Sequence, residues 1–221
     1  MKKLPAIEHS WDLQPQDAIK IQKRLARRVI RKSEIGHIAS IAGVDAGYRN
    51  GWARAAVVKL DFPALEPLEQ VLVAEPVRFP YVPGLLTFRE GPAVIAALLK
   101  LSTPPDLIIF DGQGIAHPRR LGLASHVGVL LDIPSIGCAK TKLVGKYEEP
   151  GTERGSFSFL TDQGEIIGAV VRTRTAVKPV FVSMGHRVDL KDSIQLVLDC
   201  CRGYRLPEAT RWADKLSRAD G

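Results

Sequence analysis

Two apolar runs decide the expected fold: Ile-Ala-Gly-Val-Asp-Ala-Gly-Tyr at residues 41–48 and Asp-Leu-Ile-Ile-Phe-Asp-Gly at residues 106–112. Each run carries an aspartate near its end, Asp45 and Asp111, followed by small residues. Burying a carboxylate in such a strand is costly unless it is paired or holds a cation. Mg²⁺ uses one or two carboxylates together with substrate phosphate. The two runs therefore predict metal-assisted phosphodiester chemistry.

The surrounding pattern predicts an α/β fold. Three strands at 38–48, 53–61 and 68–78 form an antiparallel meander, with Asn50-Gly51 as its first turn. Strands that follow crossover helices run parallel to a neighbour, which predicts a mixed sheet. The later elements are helices at 88–101, 120–131, 189–202 and 207–218 and strands at 106–111, 133–138, 156–160, 165–174 and 178–183. We expect a central mixed sheet, with three antiparallel strands plus parallel strands, flanked by helices.

Composition favours a polyanionic partner. The 221 residues suffice for one domain, and we assign 1–221 to a single domain with a catalytic core at about 38–218. Lys plus Arg exceed Asp plus Glu by 31 to 24, a net charge of +7. This excess suits nucleic acid, although a merely basic surface is the alternative. A basic amphipathic helix is expected at about 16–33, where it either contacts phosphate or faces solvent.

The chain is expected to be cytoplasmic and monomeric. Its first residues hold no apolar signal segment, and no stretch approaches the roughly 20 apolar residues of a membrane span. An odd set of three cysteines, Cys138, Cys200 and Cys201, indicates a reducing compartment and buried free thiols. A monomer is expected because the sequence shows neither a long apolar heptad pattern nor an obvious exposed apolar patch that would bind a partner subunit.

Several short motifs follow one another along the chain in a characteristic order. They are Phe79-Pro-Tyr-Val-Pro-Gly84, Leu86-Thr-Phe-Arg-Glu90, Asp111-Gly-Gln-Gly-Ile-Ala-His-Pro-Arg-Arg-Leu-Gly122, Ile136-Gly-Cys-Ala-Lys140, Gly185-His-Arg187 and Gly203-Tyr-Arg-Leu-Pro-Glu-Ala-Thr-Arg211. Together they closely resemble the endonuclease V family of deoxyinosine-directed repair nucleases, over about residues 38–215. The resemblance implies a ribonuclease H-like fold whose carboxylates bind divalent metal ions.

The resemblance also implies the catalytic groups. Asp45, Glu90 and Asp111 match the catalytic carboxylates and metal ligands of the family. Asp214 is a further candidate metal ligand, although other members place His there and a solvated helix carboxylate is the alternative. Lys140 is expected to neutralise the scissile phosphate or to position water. His117 is expected to contact phosphate or transfer a proton, the alternative being a loop histidine bonded to backbone.

DNA-contacting residues follow from the same comparison. The stiff segment Pro80-Tyr81-Val82-Pro83 is expected to act as a wedge between strands. Arg89 is expected to contact DNA, and Arg119 and Arg120 to hold DNA phosphate, the alternative being that these two simply face water. The lesion pocket is expected to use small residues and backbone N–H groups, from Gly84, Leu86, Gly112, Gly122, Gly137 and Ala139, with Ser183 and His186 near it. Gln113 stands where some relatives have His, which makes an acid–base role there doubtful.

The expected activity is Mg²⁺-dependent hydrolysis of DNA containing deaminated bases, chiefly deoxyinosine, with Mn²⁺ able to substitute. The resemblance places the cut at the second phosphodiester bond 3′ to the lesion, leaving a 3′-hydroxyl and a 5′-phosphate. Two alternatives remain open from the sequence. One is an inosine-specific endoribonuclease on the same scaffold, and the other is a non-catalytic protein that binds damaged DNA.

Overall fold

An eight-stranded sheet forms the middle layer of the molecule in the computed structural model, which describes residues 8–219. Both ends of the predicted domain, 1–7 and 220–221, lie outside the described residues. The strands are β1 (Ser40–Arg49), β2 (Trp52–Asp61), β3 (Pro67–Pro76), β4 (Leu107–Phe110), β5 (Ser135–Ala139), β6 (Phe157–Asp162), β7 (Glu165–Val171) and β8 (Val180–His186). The helices are α1 (Pro15–Ala26), α2 (Leu86–Leu99), α3 (Leu123–Leu131), α4 (Leu190–Asp199) and α5 (Glu208–Arg218).

The strand order is β3-β2-β1-β4-β5-β8-β7-β6. β1, β2 and β3 are antiparallel, and a two-residue turn at Asn50 and Gly51, both with positive φ, closes the first hairpin. β4 runs parallel to β1, and β5 runs parallel to β4, as their crossover helices require. β8, β7 and β6 extend the sheet with antiparallel pairs. The predicted mixed sheet is therefore confirmed.

Two helical layers cover the sheet. Alternate residues of a strand point to opposite faces, and the buried clusters follow this alternation. Ala42, Val44, Ile108 and Phe110 pack against α2 and α3. Ile41, Leu107 and Ile109 belong to the cluster that includes residues of α4 and α5. Asp45 and Asp111 share the odd-numbered positions, so the strand period directs them toward the α5 face.

Helix α5 lies unusually close to β1. A Cβ atom added to Gly43 would come 2.0 Å from the backbone carbon of Ala209, so only glycine permits this approach. The contact brings the later turns of α5 alongside the end of β1, where Asp45 lies.

Several predicted boundaries were wrong. The basic helix predicted at 16–33 ends at Ala26, because Ile30 and Glu34 instead exchange backbone hydrogen bonds with Arg187 at the end of β8. The helix predicted from 120 begins at Leu123, since Arg120 has the left-handed φ of 56°. α2 begins two residues earlier than predicted, which places Glu90 in its second turn rather than its first.

All three cysteines are buried and unpaired, as the sequence predicted. Among residues 8–219, none of the helices combines the length and apolarity needed to cross a bilayer.

Candidate active site

Three aspartates meet at the end of the central strands. Asp45 lies in the second half of β1, Asp111 directly follows β4, and Asp214 lies in α5. One carboxylate oxygen of each lies within 4.8 Å of one of each of the others. The parallel pairing of β1 with β4 brings the first two together, and the close approach of α5 at Gly43 supplies the third.

Lys140 and Ser217 bind the carboxylates of these three aspartates, which are called the carboxylate group below. The Lys140 ammonium, just beyond β5, lies 2.5 Å from Asp111 Oδ2 and 2.7 Å from Asp214 Oδ1. The Ser217 hydroxyl donates a hydrogen bond of 2.5 Å to Asp45 Oδ2. Ser217 follows Asp214 by one turn of α5, so one helix face delivers both groups.

Crowding of negative charge shapes the electrostatics of the group. Burial is the largest cause that raises the pKa of Asp45, and the charges of Asp111 and Asp214 raise it further against the opposing hydrogen bond from Ser217. Burial acts to lower the pKa of Lys140, but its hydrogen bonds with Asp111 and Asp214 outweigh burial, and its pKa is raised. The group therefore favours bound positive charge.

Glu90 approaches the same group from the opposite helical layer. Burial, followed by the charges of Asp45 and Asp111, raises the pKa of Glu90 to about 8. Its carboxylate is not part of the group within 4.8 Å, which among the described residues consists of the three aspartates. Of the four carboxylates predicted as metal ligands, the structure thus brings Asp214 into the closest set and leaves Glu90 beside it.

An open cleft with a volume of about 320 Å³ gives solvent access to the carboxylates. Its lining includes Asp45, Lys140, Asp214 and Ser217, together with Tyr48, Arg49, Arg54 and Arg218. Arg218 donates a hydrogen bond of 2.8 Å to Asp214. Negative charge at the floor and positive charge at the rim suit a metal-bound phosphodiester.

The predicted wedge stands free in solvent. Tyr81 is 72% exposed, between Pro80 and Pro83. Arg89, predicted to contact DNA, packs its guanidinium over the Tyr48 ring at 4.7 Å and reaches the Tyr81 ring at 5.9 Å. Arg89 also donates to the Phe79 carbonyl. A cationic side chain thus connects the wedge to the end of β1.

His117 has the bonding of a structural residue. Its Nε2 pairs with the Gly84 carbonyl at 2.9 Å, and its Nδ1 accepts a hydrogen bond of 3.1 Å from the Arg119 amide. These partners define a neutral imidazole protonated on Nε2. Burial, reinforced by the charge of Arg119, lowers the pKa of His117 to about 4. This arrangement corresponds to the alternative weighed from sequence, a loop histidine bonded to backbone.

The two neighbouring arginines are also engaged within the protein. Arg119 donates to the Gly84 carbonyl and to the Gln22 side chain. Arg120 forms ion pairs with Asp162 at 2.9 Å and Glu165 at 2.6 Å. The predicted phosphate contacts of both arginines would have to compete with these interactions.

The predicted lesion-pocket glycines bring backbone segments together. A Cβ at Gly137 would lie 2.3 Å from the Gly114 nitrogen, so β5 and the loop at 112–122 pack main chain against main chain. Ser183 anchors the same loop by accepting a hydrogen bond of 2.8 Å from the Gly114 amide. His186 accepts one from the Ile30 amide. Gln113 donates to the Thr141 carbonyl, and its buried Oε1 has no partner among the described residues.

Sequence reasoning missed Ser217. It lies 172 positions from Asp45, and a serine in a terminal helix carries no signal of its own. The spacing of Asp214 and Ser217, one turn apart, was the available clue once Asp214 was suspected.

The donor set fits a hard divalent cation, because three carboxylates converge where an ammonium already rests. The three aspartates meet at the ends of the parallel central strands of a mixed eight-stranded sheet. This combination is typical of metal-dependent nucleases with a ribonuclease H-like fold.

Comparisons with known proteins identify the family. The endonuclease V family model matches residues 23–215. An endonuclease V of a Nostoc species is 53% identical over 212 residues, which cover 95% of this chain and 96% of the relative. The crystal structure of endonuclease V from Streptomyces avermitilis has a TM-score of 0.91 at 44% identity, covering 98% of this chain and 96% of that one. The chain belongs to the endonuclease V family.

A further solved relative carries nucleic acid. Endonuclease V of Ciona intestinalis was crystallised with a 23mer DNA containing an inosine followed by a ribo-adenosine. It has a TM-score of 0.81 to this chain at 26% identity, covering 93% of this chain and 97% of that one.

Proposed function

We propose that this nuclease cleaves DNA containing deaminated bases, chiefly deoxyinosine, at the second phosphodiester bond 3′ to the lesion. The products are a 3′-hydroxyl and a 5′-phosphate. The observation that carries the proposal is the convergence of Asp45, Asp111 and Asp214 beside Lys140, next to an open cleft that Asp45, Asp214 and Lys140 line. The inosine-containing DNA bound by the Ciona relative supports the choice of lesion.

The proposed cofactor is Mg²⁺, with Mn²⁺ able to substitute. When bound, it would activate water and stabilise charge on the phosphate oxygens. Asp45, Asp111 and Asp214 would hold it, with Glu90 as a further ligand from α2. Ser217 fixes the orientation of the Asp45 carboxylate. The Lys140 ammonium, positioned between two of these carboxylates, would offer positive charge to the scissile phosphate.

Recognition of the lesion is proposed for the surface around Tyr81. The exposed ring would fill the space left by an extruded base, stiffened by Pro80, Val82 and Pro83 and oriented by Arg89. Backbone groups of the small-residue segments would read the base, at Gly84, Leu86, Gly112, Gly122, Gly137 and Ala139, with Ser183 holding the loop. For His117 and Arg119 we propose support of this surface through the Gly84 carbonyl.

A second candidate substrate is inosine-containing RNA. The ribo-adenosine that follows the inosine in the Ciona complexes favours retaining it. Separating the two substrates requires a direct comparison, because contacts to the 2′-hydroxyl decide between them.

We further propose that the chain acts as one catalytic domain and as a monomer in the cytoplasm. All eight strands belong to one sheet, which supports the single domain. Three unpaired buried cysteines suit a reducing compartment.

A strand-nicking assay tests the proposed function. The substrate is a duplex oligonucleotide with one deoxyinosine, labelled at its 5′ end, incubated with Mg²⁺ or with EDTA. We expect one Mg²⁺-dependent cut at the second phosphodiester bond 3′ to the lesion and none in a matched deoxyadenosine duplex. Faster cleavage of the matched inosine RNA would assign the endoribonuclease activity instead. Binding without cleavage of either substrate would assign a non-catalytic role.

A further inference from the structure

A second cleft, with a volume of about 440 Å³, adjoins the first at Lys140. One wall is formed by the segment after β5, with Lys140 and Lys142, and another by Lys178 and Pro179 before β8. Lys140 lines both clefts, so the two meet at the residue that contacts Asp111 and Asp214. A strand lying over the carboxylates would continue into this second cleft.

The charges of the second cleft suit a polyanion. Lys142 and Lys178 are exposed, and within residues 8–219 neither forms an ion pair. Glu149, the carboxylate in the lining, already pairs with Arg172 at 2.8 Å. Positive charge is therefore left available along a groove that begins at the active site.

An aromatic ring completes the cleft. Tyr147 is 37% exposed, and the Lys142 ammonium lies 5.6 Å from its ring centroid. The ring rests edge-on against Phe181, with centroids 5.5 Å apart. An exposed ring beside a row of lysines is the arrangement by which proteins stack bases while tracking a phosphate backbone.

The walls of the cleft are tied together in advance. The Arg205 guanidinium donates to the Lys140 carbonyl at 2.7 Å and to the Pro179 carbonyl at 2.8 Å. One side chain thus fixes the spacing between both walls, so binding requires little reorganisation.

We propose that this cleft is a nucleotide subsite for the substrate strand next to the scissile phosphate. Lys142 and Lys178 contact backbone phosphate, and Tyr147 stacks on the adjoining base. The inference rests on the proposed function, since it assigns a path to the strand that the carboxylates would cut.

The test is a binding measurement with a Lys142→Gln/Lys178→Gln double variant. Fluorescence anisotropy with a labelled single-stranded deoxyinosine oligonucleotide is recorded in EDTA over a range of NaCl concentrations. We expect affinity to fall about tenfold at low salt and the salt slope to decrease by about 1.4, the value for two single-strand phosphate contacts. The matched control, Lys100→Gln/Lys191→Gln, removes two exposed charges outside both clefts and should leave the slope unchanged.

Stacking and position are tested separately. Tyr147→Leu should weaken binding about fivefold at an unchanged salt slope, and Tyr147→Phe should retain affinity. The oligonucleotide is also shortened one nucleotide at a time from either end. Removal of the nucleotide that occupies the subsite should lower the affinity of the wild type, whereas the affinity of the lysine double variant should not change at that step.

An unchanged salt slope and affinity in the lysine double variant, equal to those of the Lys100/Lys191 control, would overturn the subsite. The readout is independent of cleavage. If deoxyinosine DNA is never cut but the lysine variant binds more weakly, the proposed function fails and the subsite stands. If deoxyinosine DNA is cut normally and the lysine variant binds like the control, the reverse holds.

Discussion

The three aspartates and His117 were all predicted to act in catalysis, yet their surroundings differ in opposite ways. Asp45 and Asp214 line an open cleft, the charges of Asp111 and Asp214 raise the pKa of Asp45, and Lys140 and Arg218 form ion pairs with members of this trio. His117 is 3% exposed, and both of its ring nitrogens bond to backbone. The first region retains unmet demand for positive charge, whereas the second has its hydrogen bonds satisfied.

This difference separates reacting groups from supporting ones. Carboxylates that reach solvent and repel one another can exchange a protein cation for a bound metal ion. A buried and satisfied imidazole must break two hydrogen bonds before it can act. Mutations of the three aspartates should therefore mainly lower activity, whereas mutations of His117 should mainly lower the stability of the fold.

The largest effect is expected for Asp45→Asn. Removal of one charge from the three aspartates should reduce deoxyinosine cleavage in Mg²⁺ by about 10³-fold or more, because the variant loses a proposed metal ligand. DNA binding in EDTA should persist, since Asp45 adds negative charge to the cleft. Single-turnover nicking and anisotropy measure the two. Asp17→Asn, which alters an exposed carboxylate paired with Lys20, is the control and should cleave normally. Cleavage by Asp45→Asn at the control rate would contradict the assignment.

Gly43→Ala should disturb the same region through the backbone. The new Cβ would overlap the main chain of Ala209, so α5 must move and carry Asp214 and Ser217 away from Asp45. We expect a loss of about 3 kcal/mol in the free energy of unfolding and a large loss of cleavage. Gly47→Ala in the same strand meets nothing within 4 Å and is the matched control. Urea unfolding compares them, and equal stability of the two variants would refute the close packing.

His117→Ala should show the opposite balance. At pH 7.5 we expect about 1–3 kcal/mol of destabilisation, because the Arg119 amide and the Gly84 carbonyl lose their partner. Cleavage by the folded variant should remain within about threefold of wild type. Thermal unfolding measures the loss of stability. Single-turnover rates, recorded for both proteins at low temperature where the variant stays folded, measure the effect on cleavage. A loss of about 100-fold in rate with unchanged stability would return His117 to the chemistry.

The buried His117 should also make the stability of the fold depend on pH. Its pKa is lowered to about 4 in the folded chain, against about 6.5 when unfolded, so folding favours the neutral ring. The stabilisation is complete above pH 6.5 and is lost as the pH falls toward 4, by up to about 3 kcal/mol. The stability advantage of wild type over His117→Ala should therefore shrink over this window. An NMR titration giving a pKa near 6.5 would show that the ring is not buried as described.

Local patterning predicted the sheet well but not every end of a helix. The mixed sheet, with parallel strands after the crossover helices, followed from strand period and crossover geometry. The end of α1 did not, because the hydrogen bond from the Arg187 amide to the Ile30 carbonyl joins residues 157 positions apart. Helical spacing continues past Ala26 in the sequence, and only the position of β8 reveals that the chain leaves the helix.

The candidate site divides in a similar way. Asp45 and Asp111 were predictable because a carboxylate that ends an apolar strand is rarely structural. Which helix approaches the two aspartates was not predicted: both lie at odd-numbered positions, and only the structure shows that α5, with Asp214, packs against that face. Ser217 and the bonding of His117 depend on contacts that no spacing in the sequence encodes.

The salt bridges of Lys140 make it a resident stand-in for the metal. With its ammonium on Asp111 and Asp214, the acidic group is partly neutralised before any divalent ion arrives. A metal ion that binds the oxygens of Asp111 and Asp214 would have to displace the Lys140 ammonium. Because the ammonium is part of the chain, it would remain beside the site. Metal loading would therefore resemble ion exchange on a resin with a fixed counter-ion, and the displaced ammonium would remain close enough to pair with a phosphate.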